Sequence, residues 1–511
     1  MHFGGSFCNP IAYWITPPGA NDKENTMSVK KAVLTIASIA LCAVSSAAPL
    51  KADFSKETGR VNRALHSSGF APMVTSTNKA KLAAELREFN FDYTRTHDLA
   101  LISSGQRIVD THFIFPLEHL DAGNPTNYYF DATDYQLDLI RKNGNKIFYR
   151  LGTSIEHSGP TVHFNTLIPK DFDKTAEVFA GTVRHYTKGW GDGFNWDVKY
   201  WELWNEPDGV NNMWCLPEGD GTRGSPEFAK RDKIRRDLFC KFFVTCLKRL
   251  KSEFPECKFG GPAMCSASGR SLEWFKSILA ACKEAGVAPD FMSWHYYGYS
   301  VEKIIADAEN MRKLCDSYGF KDCELIINEW HYLGPYGWGG LRNFDAKTLK
   351  RVWSGPGSHN GIDSSCFSLS VLSRLQTSKY DQAYFYGCRH TGAWGYKDGH
   401  NNKYTVYYAL KLFGSIMKEC NKLCASSNDG TVTTLATKKS DGKEGWLLVS
   451  DYGGKGDTIE VDVSGVSGVA SAVILDHERN IAPVVVTFDK GKLTLKKLIK
   501  GSAAFLVKLN L

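Results

Sequence analysis

The sequence predicts an eight-stranded β/α barrel followed by a β-sandwich domain. Between residues 61 and 386, short apolar runs alternate with longer amphipathic segments, which is the pattern of β/α units repeated around a parallel sheet. Several of these runs end in charged or aromatic residues, as strands do at one face of such barrels. From residue 431 onward, short β-rich runs alternate with turns, which is typical of an all-β domain.

The first 47 residues predict a leader. Residues 1–26 show no apolar periodicity, and two lysines after Met27 precede an apolar run at 32–46. We therefore expect translation to start at Met27 and a signal peptidase to cut after Ala47. The run is too short for a transmembrane helix. The expected protein is secreted or periplasmic and has no membrane span.

Charge and cysteine spacing limit the function classes. The net charge of +7 is mild, and there is no polybasic run, so nucleic-acid binding is not expected. Twelve of the fourteen cysteines lie between Cys215 and Cys424 without the spacing of a metal motif. They are interpreted as buried small residues or as disulfides of open connectivity. No metal or cofactor is predicted.

The barrel is expected over residues 58–418. Its predicted strands, in chain order, are 63–66, 91–96, 146–150, 200–204, 258–261, 291–295, 325–328 and 382–386. The predicted helices are 78–88, 132–142, 174–186, 227–253, 271–286, 301–318, 364–377 and, last, 404–413.

Two predicted strands end in the same dipeptide. The fourth, 200–204, is followed by Asn205-Glu206 and a proline that cannot donate to a strand ladder, and the seventh ends at Asn328, which is followed by Glu329. A carboxylate leaving the end of a buried strand costs free energy unless it is used. A single such glutamate could equally be the partner of an arginine, but two strand ends with Asn-Glu favour a shared site.

Other strand ends carry polar and aromatic side chains. Each alone fits an ion pair, a core histidine or simple packing. Together they would lie in one mouth of the barrel, where uncompensated burial would be costly. They are Arg95, His97, His295, Tyr297 and Trp330.

These motifs resemble glycoside hydrolase family 39, the retaining group that includes β-xylosidases and α-L-iduronidases. The resemblance covers roughly residues 60–415. It is carried by Trp-Asn-Glu-Pro-Asp at 204–208, Arg-Thr-His at 95–97, His-Tyr-Tyr at 295–297 and Asn-Glu-Trp at 328–330. It implies that Glu206 is the general acid/base and Glu329 the nucleophile. It also implies that Asn205 binds the sugar 2-hydroxyl and that His97, His295 and Tyr297 surround the scissile bond.

The chemistry fits this resemblance. A retaining glycosidase holds two carboxyl groups about 5–5.5 Å apart, one protonated and one ionised. Repulsion from ionised Glu329 is expected to raise the pKa of Glu206 and keep it protonated. A hydrolytic metal would make the paired glutamates redundant.

The segment after the eighth strand departs from the xylosidase pattern, which has acidic residues there. Here it contains Arg389, His390 and Trp394. Trp394 is expected to stack on a sugar. Arg389 and His390 would accept a carboxylate or other hydroxyls, or Arg389 is a surface cation, so the sugar remains open.

The β-sandwich is expected over residues 425–511, and residues 48–57 are a candidate for an additional strand of it. Its predicted strands are 431–437, 445–451, 458–463, 472–476, 484–489, 493–495 and 502–509. It would be a carbohydrate-binding module or a scaffold packed on the barrel. The scaffold is favoured because Trp446 is its only tryptophan.

The predicted function is that of a secreted, retaining, exo-acting glycoside hydrolase, β-xylosidase-like, on oligo- and polysaccharide fragments. Exo action and the preference for a pentose come from the resemblance alone. The alternatives are an endo-acting glycanase of the same clan and a non-catalytic sugar-binding barrel. Retention of both glutamates argues against the latter. The oligomeric state is open.

Overall fold

The computed structural model describes residues 49–69, 79–99, 108–155, 165–211, 213–343, 345–389, 392–454 and 456–511. The predicted leader lies outside these ranges. Within them, no helix combines the length and apolar character that crossing a membrane requires.

The first strand, β1 (Leu50–Arg60), precedes the barrel. The barrel strands are β2 (Ser67–Gly69), β3 (Tyr93–Arg95), β4 (Lys146–Leu151), β5 (Tyr200–Leu203), β6 (Lys258–Met264), β7 (Phe291–Gly298), β8 (Glu324–Tyr332) and β9 (Gln382–Phe385). All neighbours are parallel, and β9 pairs with β2 to close the barrel. The predicted fold class is confirmed.

One predicted strand was misplaced. Residues 63–66 were expected to form the first barrel strand, but Arg63–Leu65 is a 3-10 turn, and the strand starts at Ser67. The side chain of Asn62 accepts a hydrogen bond from the Ala64 N–H, which favours the turn. The true strand is short and polar, so it gave no apolar signal.

The helices surround the barrel. They are α1 (Lys79–Arg87), α2 (Thr111–Ile114), α3 (Asp131–Lys142), α4 (Phe172–Lys188), α5 (Pro226–Glu253), α6 (Arg270–Glu284), α7 (Val301–Tyr318), α8 (Gly337–Arg342), α9 (Ala346–Trp353), α10 (Ile362–Leu375) and α11 (Thr405–Glu419). Each predicted helix is present, either with the predicted bounds, as for α7, or with ends shifted by at most six residues, as for α11. Three short ones, α2, α8 and α9, were not predicted because they are shorter than the periodicity needed to recognise them.

The inside of the barrel is layered, because alternate residues of a strand face the same side. The lower layer is apolar and consists of Phe148, Tyr200, Phe291, Ile326 and Tyr384, with Tyr93 against it. Two residues further along the same strands, the next layer is polar and contains Arg95, Arg150, Glu202, Ser293 and Asn328. The polar layer supports the residues at the mouth.

The C-terminal domain is a ten-stranded sheet around its own apolar core. After β10 (Cys420–Ser426), which was not predicted, come β11 (Val432–Lys439), β12 (Glu444–Asp451), β13 (Thr458–Ser464), β14 (Gly468–Leu475), β15 (Ala482–Pro483), β16 (Thr487–Asp489), β17 (Lys492–Lys496) and β18 (Ala503–Asn510). The sheet order is β15-β14-β18-β12-β11-β10-β1-β13-β17-β16. Of the segment predicted as one strand at 484–489, only Thr487–Asp489 is a strand, and Val485 before it is exposed.

The sheet packs against α10 of the barrel. The Ser450 hydroxyl donates to the Cys366 carbonyl at 2.9 Å, and the Ser502 hydroxyl donates to Asp363 at 2.5 Å. Trp446 is buried, and the Lys508 ammonium lies 4.2 Å from its ring centroid. Since Trp446 offers no open face, these contacts support the scaffold interpretation over a sugar platform.

All twelve cysteines from Cys215 to Cys424 are free thiols. Ten of them are buried, and most belong to the main apolar core. They therefore serve here as small core residues rather than as bridges.

Candidate active site

A cavity of about 630 Å³ opens at the carboxyl ends of the barrel strands. This is the size and position expected for a small-molecule site in such a barrel. Its walls include His97, Asp98, Asn205, Glu206, His295, Tyr297, Glu329, Trp338, Tyr386 and Trp394. The predicted residues Arg95, Trp330 and Arg389 do not line it.

Glu206 lies on an unusual backbone. Trp204, Glu206 and, on the next strand, Ala263 have positive φ angles of 76°, 43° and 56°, a region that non-glycine residues rarely adopt. The Glu206 N–H donates to the Ala263 carbonyl at 2.9 Å, which ties the two strands at this point. Such conformations persist only where surrounding contacts enforce them, and they concentrate at functional sites.

Two arginines enforce the conformation of the turn after Glu206. Arg235 of α5 donates to the carbonyls of Pro207, at 2.9 Å, and Gly209, and Arg270 of α6 donates to the Asp208 carbonyl. The Asp208 side chain accepts from the Cys265 N–H at 3.0 Å. Donors from both helices and from the end of β6 therefore fix the turn that aims Glu206 into the cavity.

Glu329 reaches the cavity through a β-bulge. Ile327 pairs with Trp294 and Glu329 with His295, so Asn328 is an extra residue on β8. The bulge turns both Asn328 and Glu329 toward the barrel interior. The next residue, Trp330, points outward and is fully buried against Phe385, at 5.3 Å between ring centroids. Trp330 therefore lies outside the cavity lining, away from the position expected of a residue that binds substrate.

Arg95 lies beneath the cavity and links three polar side chains by hydrogen bonds. Its Nε donates to Glu202 Oε2, its Nη1 to Glu329 Oε1 and its Nη2 to Asn205 Oδ1, each at 2.7 Å. Arg95 had been predicted to contact the substrate. Because it is only 1% exposed and lies below the cavity lining, it positions the residues above it.

Glu202 was missed by the sequence analysis. It is fully buried and also accepts from the Ser293 hydroxyl at 2.7 Å and from the Asn328 amide at 2.6 Å. The available signal was a glutamate inside an apolar strand, two residues after Tyr200 and hence on the same face.

His295 bridges the two glutamates at the mouth. Its Nδ1 lies 2.8 Å from Glu206 Oε1 and 3.5 Å from Glu329 Oε2. These two oxygens can therefore be no more than about 6.3 Å apart, since both distances share one atom. The Tyr297 hydroxyl donates to Glu329 Oε2 at 2.6 Å. The structure thus brings together Glu206, Glu329, His295 and Tyr297 as the sequence predicted.

The two glutamates differ in their environment. Burial, and then the nearby Asp208, raises the pKa of Glu206 to about 8. Repulsion from Glu329, which the sequence analysis had expected as the cause, is not among the main ones. Burial also raises the pKa of Glu329, but His295 and Arg95 oppose this. Because Arg95 and Tyr297 both donate to Glu329, the single proton of the pair resides on Glu206.

His97 has a defined tautomer. Arg150 Nε donates to His97 Nδ1 at 3.1 Å, and Arg150 also bonds Asp110 Oδ1 at 2.5 Å. Because a guanidinium only donates, a neutral His97 carries its proton on Nε2. That nitrogen lies 3.4 Å from Asp98 Oδ1 and 3.9 Å from Glu329 Oε1. Arg150, Asp110 and Asp98 were not predicted.

The segment after β9 supplies an aromatic wall. Trp394 lies 5.5 Å from Tyr297 and 5.4 Å from Tyr386 between ring centroids, and all three line the cavity. Trp338 of α8, which was not predicted, adds to this wall. Arg389 lies outside it, with Nη2 4.0 Å from Asp98 Oδ2. His390 lies outside the described residues.

Among the described residues, no three histidine, cysteine or acidic side chains are grouped so that they could hold a metal ion. The site consists of a carboxyl pair, imidazoles and aromatic rings at the end of a closed barrel. That combination defines a barrel glycosidase.

The comparisons with known proteins give the family. The model of glycosyl hydrolases family 39 matches residues 50–443, and the chain belongs to this family. A β-xylosidase of Geobacillus stearothermophilus is 32% identical over 135 residues, which are 26% of this chain and 22% of that protein. The chain thus matches only about a fifth of that relative's length.

Solved structures of glycosidases share the fold. A glucosidase from Croceicoccus marinus has a TM-score of 0.70 at 20% identity and covers 91% of this chain and 99% of its own. A monomeric β-xylosidase from Caulobacter crescentus CB15 has a TM-score of 0.59 at 15% identity, over 90% and 99% of the two chains. At these low identities, the similarity establishes a shared fold and nothing beyond it.

Proposed function

We propose that the protein is a retaining, exo-acting glycoside hydrolase that removes single sugar units from the ends of oligo- and polysaccharide fragments. The observation that carries the proposal is the carboxyl pair bridged by His295. The facing oxygens, Glu206 Oε1 and Glu329 Oε2, are at most about 6.3 Å apart. This is below the separation of about 6.5–9.5 Å that inverting enzymes need to hold a water molecule between their carboxyl groups. Nothing in the proposed reaction requires a cofactor.

In the first step, Glu206 donates its proton to the glycosidic oxygen while Glu329 attacks the anomeric carbon. The bond to the leaving group breaks, and a glycosyl ester forms on Glu329. A pKa near 8 keeps Glu206 protonated at neutral pH, which suits a general acid. Arg95 and Tyr297 hold Glu329 ionised and oriented for the attack.

In the second step, Glu206 takes a proton from water, and the hydroxide replaces Glu329 at the anomeric carbon with net retention. In the ester, Glu329 carries no negative charge. His295 then remains the hydrogen-bond partner of Glu206, at 2.8 Å. Burial lowers the pKa of His295, so that the imidazole is neutral and able to accept or donate a hydrogen bond as Glu206 changes its protonation state.

The aromatic wall supports binding of a sugar in the cavity, while exo action rests on the family resemblance. Trp338, Tyr386 and Trp394 line the cavity, and their rings offer apolar faces to a sugar. A pentose is favoured because the matched Geobacillus relative is a β-xylosidase.

Export after cleavage at Ala47 remains part of the proposal. Edman sequencing of the natively exported protein would test it, and a chain starting at Met1 or Met27 would contradict it.

The roles of the two glutamates are tested with Glu329→Ala and Glu206→Ala, with Glu256→Ala on the exposed surface as the matched control. Glu329→Ala should lose turnover of every aryl glycoside. Glu206→Ala should lose roughly 10²–10⁴-fold on unactivated substrates but retain glycosylation by substrates with acidic phenols.

Azide should accelerate Glu206→Ala and give a glycosyl azide of retained configuration, because the small anion replaces the base-activated water. Proton NMR of the first product of the unaltered enzyme should show the anomer of the substrate. An inverted product from the unaltered enzyme, or an inverted azide from Glu206→Ala, would overturn the assignment. Cleavage of internal polymer bonds without release of aryl monoglycosides would overturn exo action.

A further inference from the structure

Asp98 is an acidic side chain of the cavity to which the proposed reaction assigns no role. It follows His97 at the end of β3 and has a positive φ of 57°, which aspartate tolerates better than most residues. It is only 5% exposed and lines the cavity. The Tyr386 hydroxyl, just after β9 and two strands away around the closed barrel, donates to its Oδ2 at 3.1 Å and orients the carboxylate.

The cations near Asp98 are turned away from the cavity or already engaged. Arg95 is bound by Glu202, Glu329 and Asn205. The Arg389 guanidinium approaches Asp98 Oδ2 at 4.0 Å and is not part of the cavity lining. The negative charge of Asp98 therefore lies between Arg389 and the space where a sugar would bind.

The cationic side chains that do line the described cavity lie elsewhere in it. The Lys303 ammonium is paired with Asp307 Oδ1 at 2.8 Å. Arg342 is exposed and lies beside Trp338 at the outer end. At the inner end, a carboxylate on a substrate would meet Asp98 and Glu329, and like charges in a partly desolvated site repel strongly.

We propose that Asp98, oriented by Tyr386, binds a hydroxyl of the sugar that is cleaved off and makes this subsite select neutral sugars over uronic acids. The proposal rests on the proposed function and specifies its substrate class. A hydroxyl donating to a buried carboxylate is a charge-assisted hydrogen bond, so its loss should lower kcat/KM by roughly 10- to 100-fold. Removing the charge of Asp98 should also expose a carboxylate-bearing substrate to the field of Arg389.

The test uses three aryl β-glycosides, those of xylose, glucose and glucuronic acid. The last two differ only in a hydroxymethyl group and a carboxylate, so their ratio isolates charge from size. Asp98→Asn preserves shape and removes the charge. Asp237→Asn, on the outer helix α5 and paired with Lys233 at 2.6 Å, is the matched control.

Asp98→Asn should lower kcat/KM on the xyloside and the glucoside by roughly 10- to 100-fold while the glucuronide stays unchanged or improves, so that the ratio of glucuronide to glucoside rises at least about tenfold. The control should leave that ratio unchanged. A proportional loss on all three substrates would show that Asp98 only maintains the fold, and would overturn the proposal.

Tyr386→Phe provides a second variant if Asp98→Asn does not fold, as judged by circular dichroism. It removes the orienting hydroxyl but leaves the charge, so neutral glycosides should weaken several-fold while the glucuronide is still rejected. Kinetics equal to those of the unaltered enzyme would overturn the proposal.

The two levels of the proposal can fail separately. If the unaltered enzyme hydrolyses no aryl glycoside, the proposed function fails, and calorimetric binding of xylose and glucuronate still tests Asp98. Tighter binding of xylose by the unaltered protein, with the preference lost in Asp98→Asn, supports the role of Asp98. Equal preferences in the two proteins overturn it.

Discussion

Arg95→Met is expected to destabilise the protein strongly, because it leaves two buried carboxylates without their cation. Arg95 donates to Glu202 and Glu329 at 2.7 Å each and is 1% exposed. Removing one partner of a buried ion pair costs about 3–5 kcal/mol. This is a large share of a typical total stability of about 5–15 kcal/mol. At roughly 2 °C per kcal/mol, Tm should fall by about 6–10 °C.

The assay is thermal unfolding followed by circular dichroism, with Arg184→Met as the matched control. Arg184 also contacts two glutamates, Glu177 and Glu253, but on the surface, with its side chain 18% exposed. Pairs of this kind contribute at most about 1 kcal/mol. Adding Glu202→Gln to Arg95→Met should recover about 1–3 kcal/mol, because it removes one of the two unpaired charges.

The pH dependence of catalysis provides a second measurement on the same variant. Arg95 lowers the pKa of both Glu206 and Glu329. Any residual activity of Arg95→Met should therefore show both limbs of its pH profile displaced to higher pH. A stability loss no larger than that of Arg184→Met, with an unmoved pH profile, would refute the idea that Arg95 balances two ionised carboxylates.

Three further outcomes are expected. Since the acid must carry its proton and the pKa of Glu206 is about 8, kcat/KM on unactivated glycosides should fall as pH rises through about 8, and this limb should vanish in Glu206→Ala; a limb that survives belongs to another group. Tyr297→Phe should lower kcat by roughly 10- to 100-fold and raise the pH of the acidic limb, because it removes a donor to ionised Glu329; an unmoved limb would contradict this contact. Trp330→Ala should cost roughly 3–5 kcal/mol in urea unfolding, whereas Trp330→Phe should leave KM unchanged; a raised KM in the latter would support the predicted role of Trp330 in binding.

Much of the barrel was predictable because its strands are short apolar runs between long amphipathic helices. The two strand-end glutamates were predictable for the same reason, since the end of a parallel strand fixes where a side chain lies. β2 escaped because Ser67–Gly69 has no apolar residue, and β10 because it follows α11 without a break.

The remaining errors concern which face of a strand a residue occupies. Trp330 and Glu329 are neighbours, and only the bulge at Asn328 decides which of them faces the cavity. Glu202, Asp110 and Arg150 belong to buried charge networks whose partners are far apart in sequence. Such pairings depend on barrel closure and leave no local pattern.

The position of β1 has a consequence for how the chain acquires its structure. β1 lies between β10 and β13 in the middle of the C-terminal sheet, and the Lys51 N–H bonds Ser427 across 376 residues. On the ribosome, this first strand must wait while the entire barrel is synthesised, and closing so long a loop slows folding. Until then, the backbone N–H and C=O groups along the edges of β1 are unpaired and can pair with strands of other chains. A fragment that ends after α11 would keep this liability permanently, so an isolated barrel should be cut on both sides, from Val61 to Glu419.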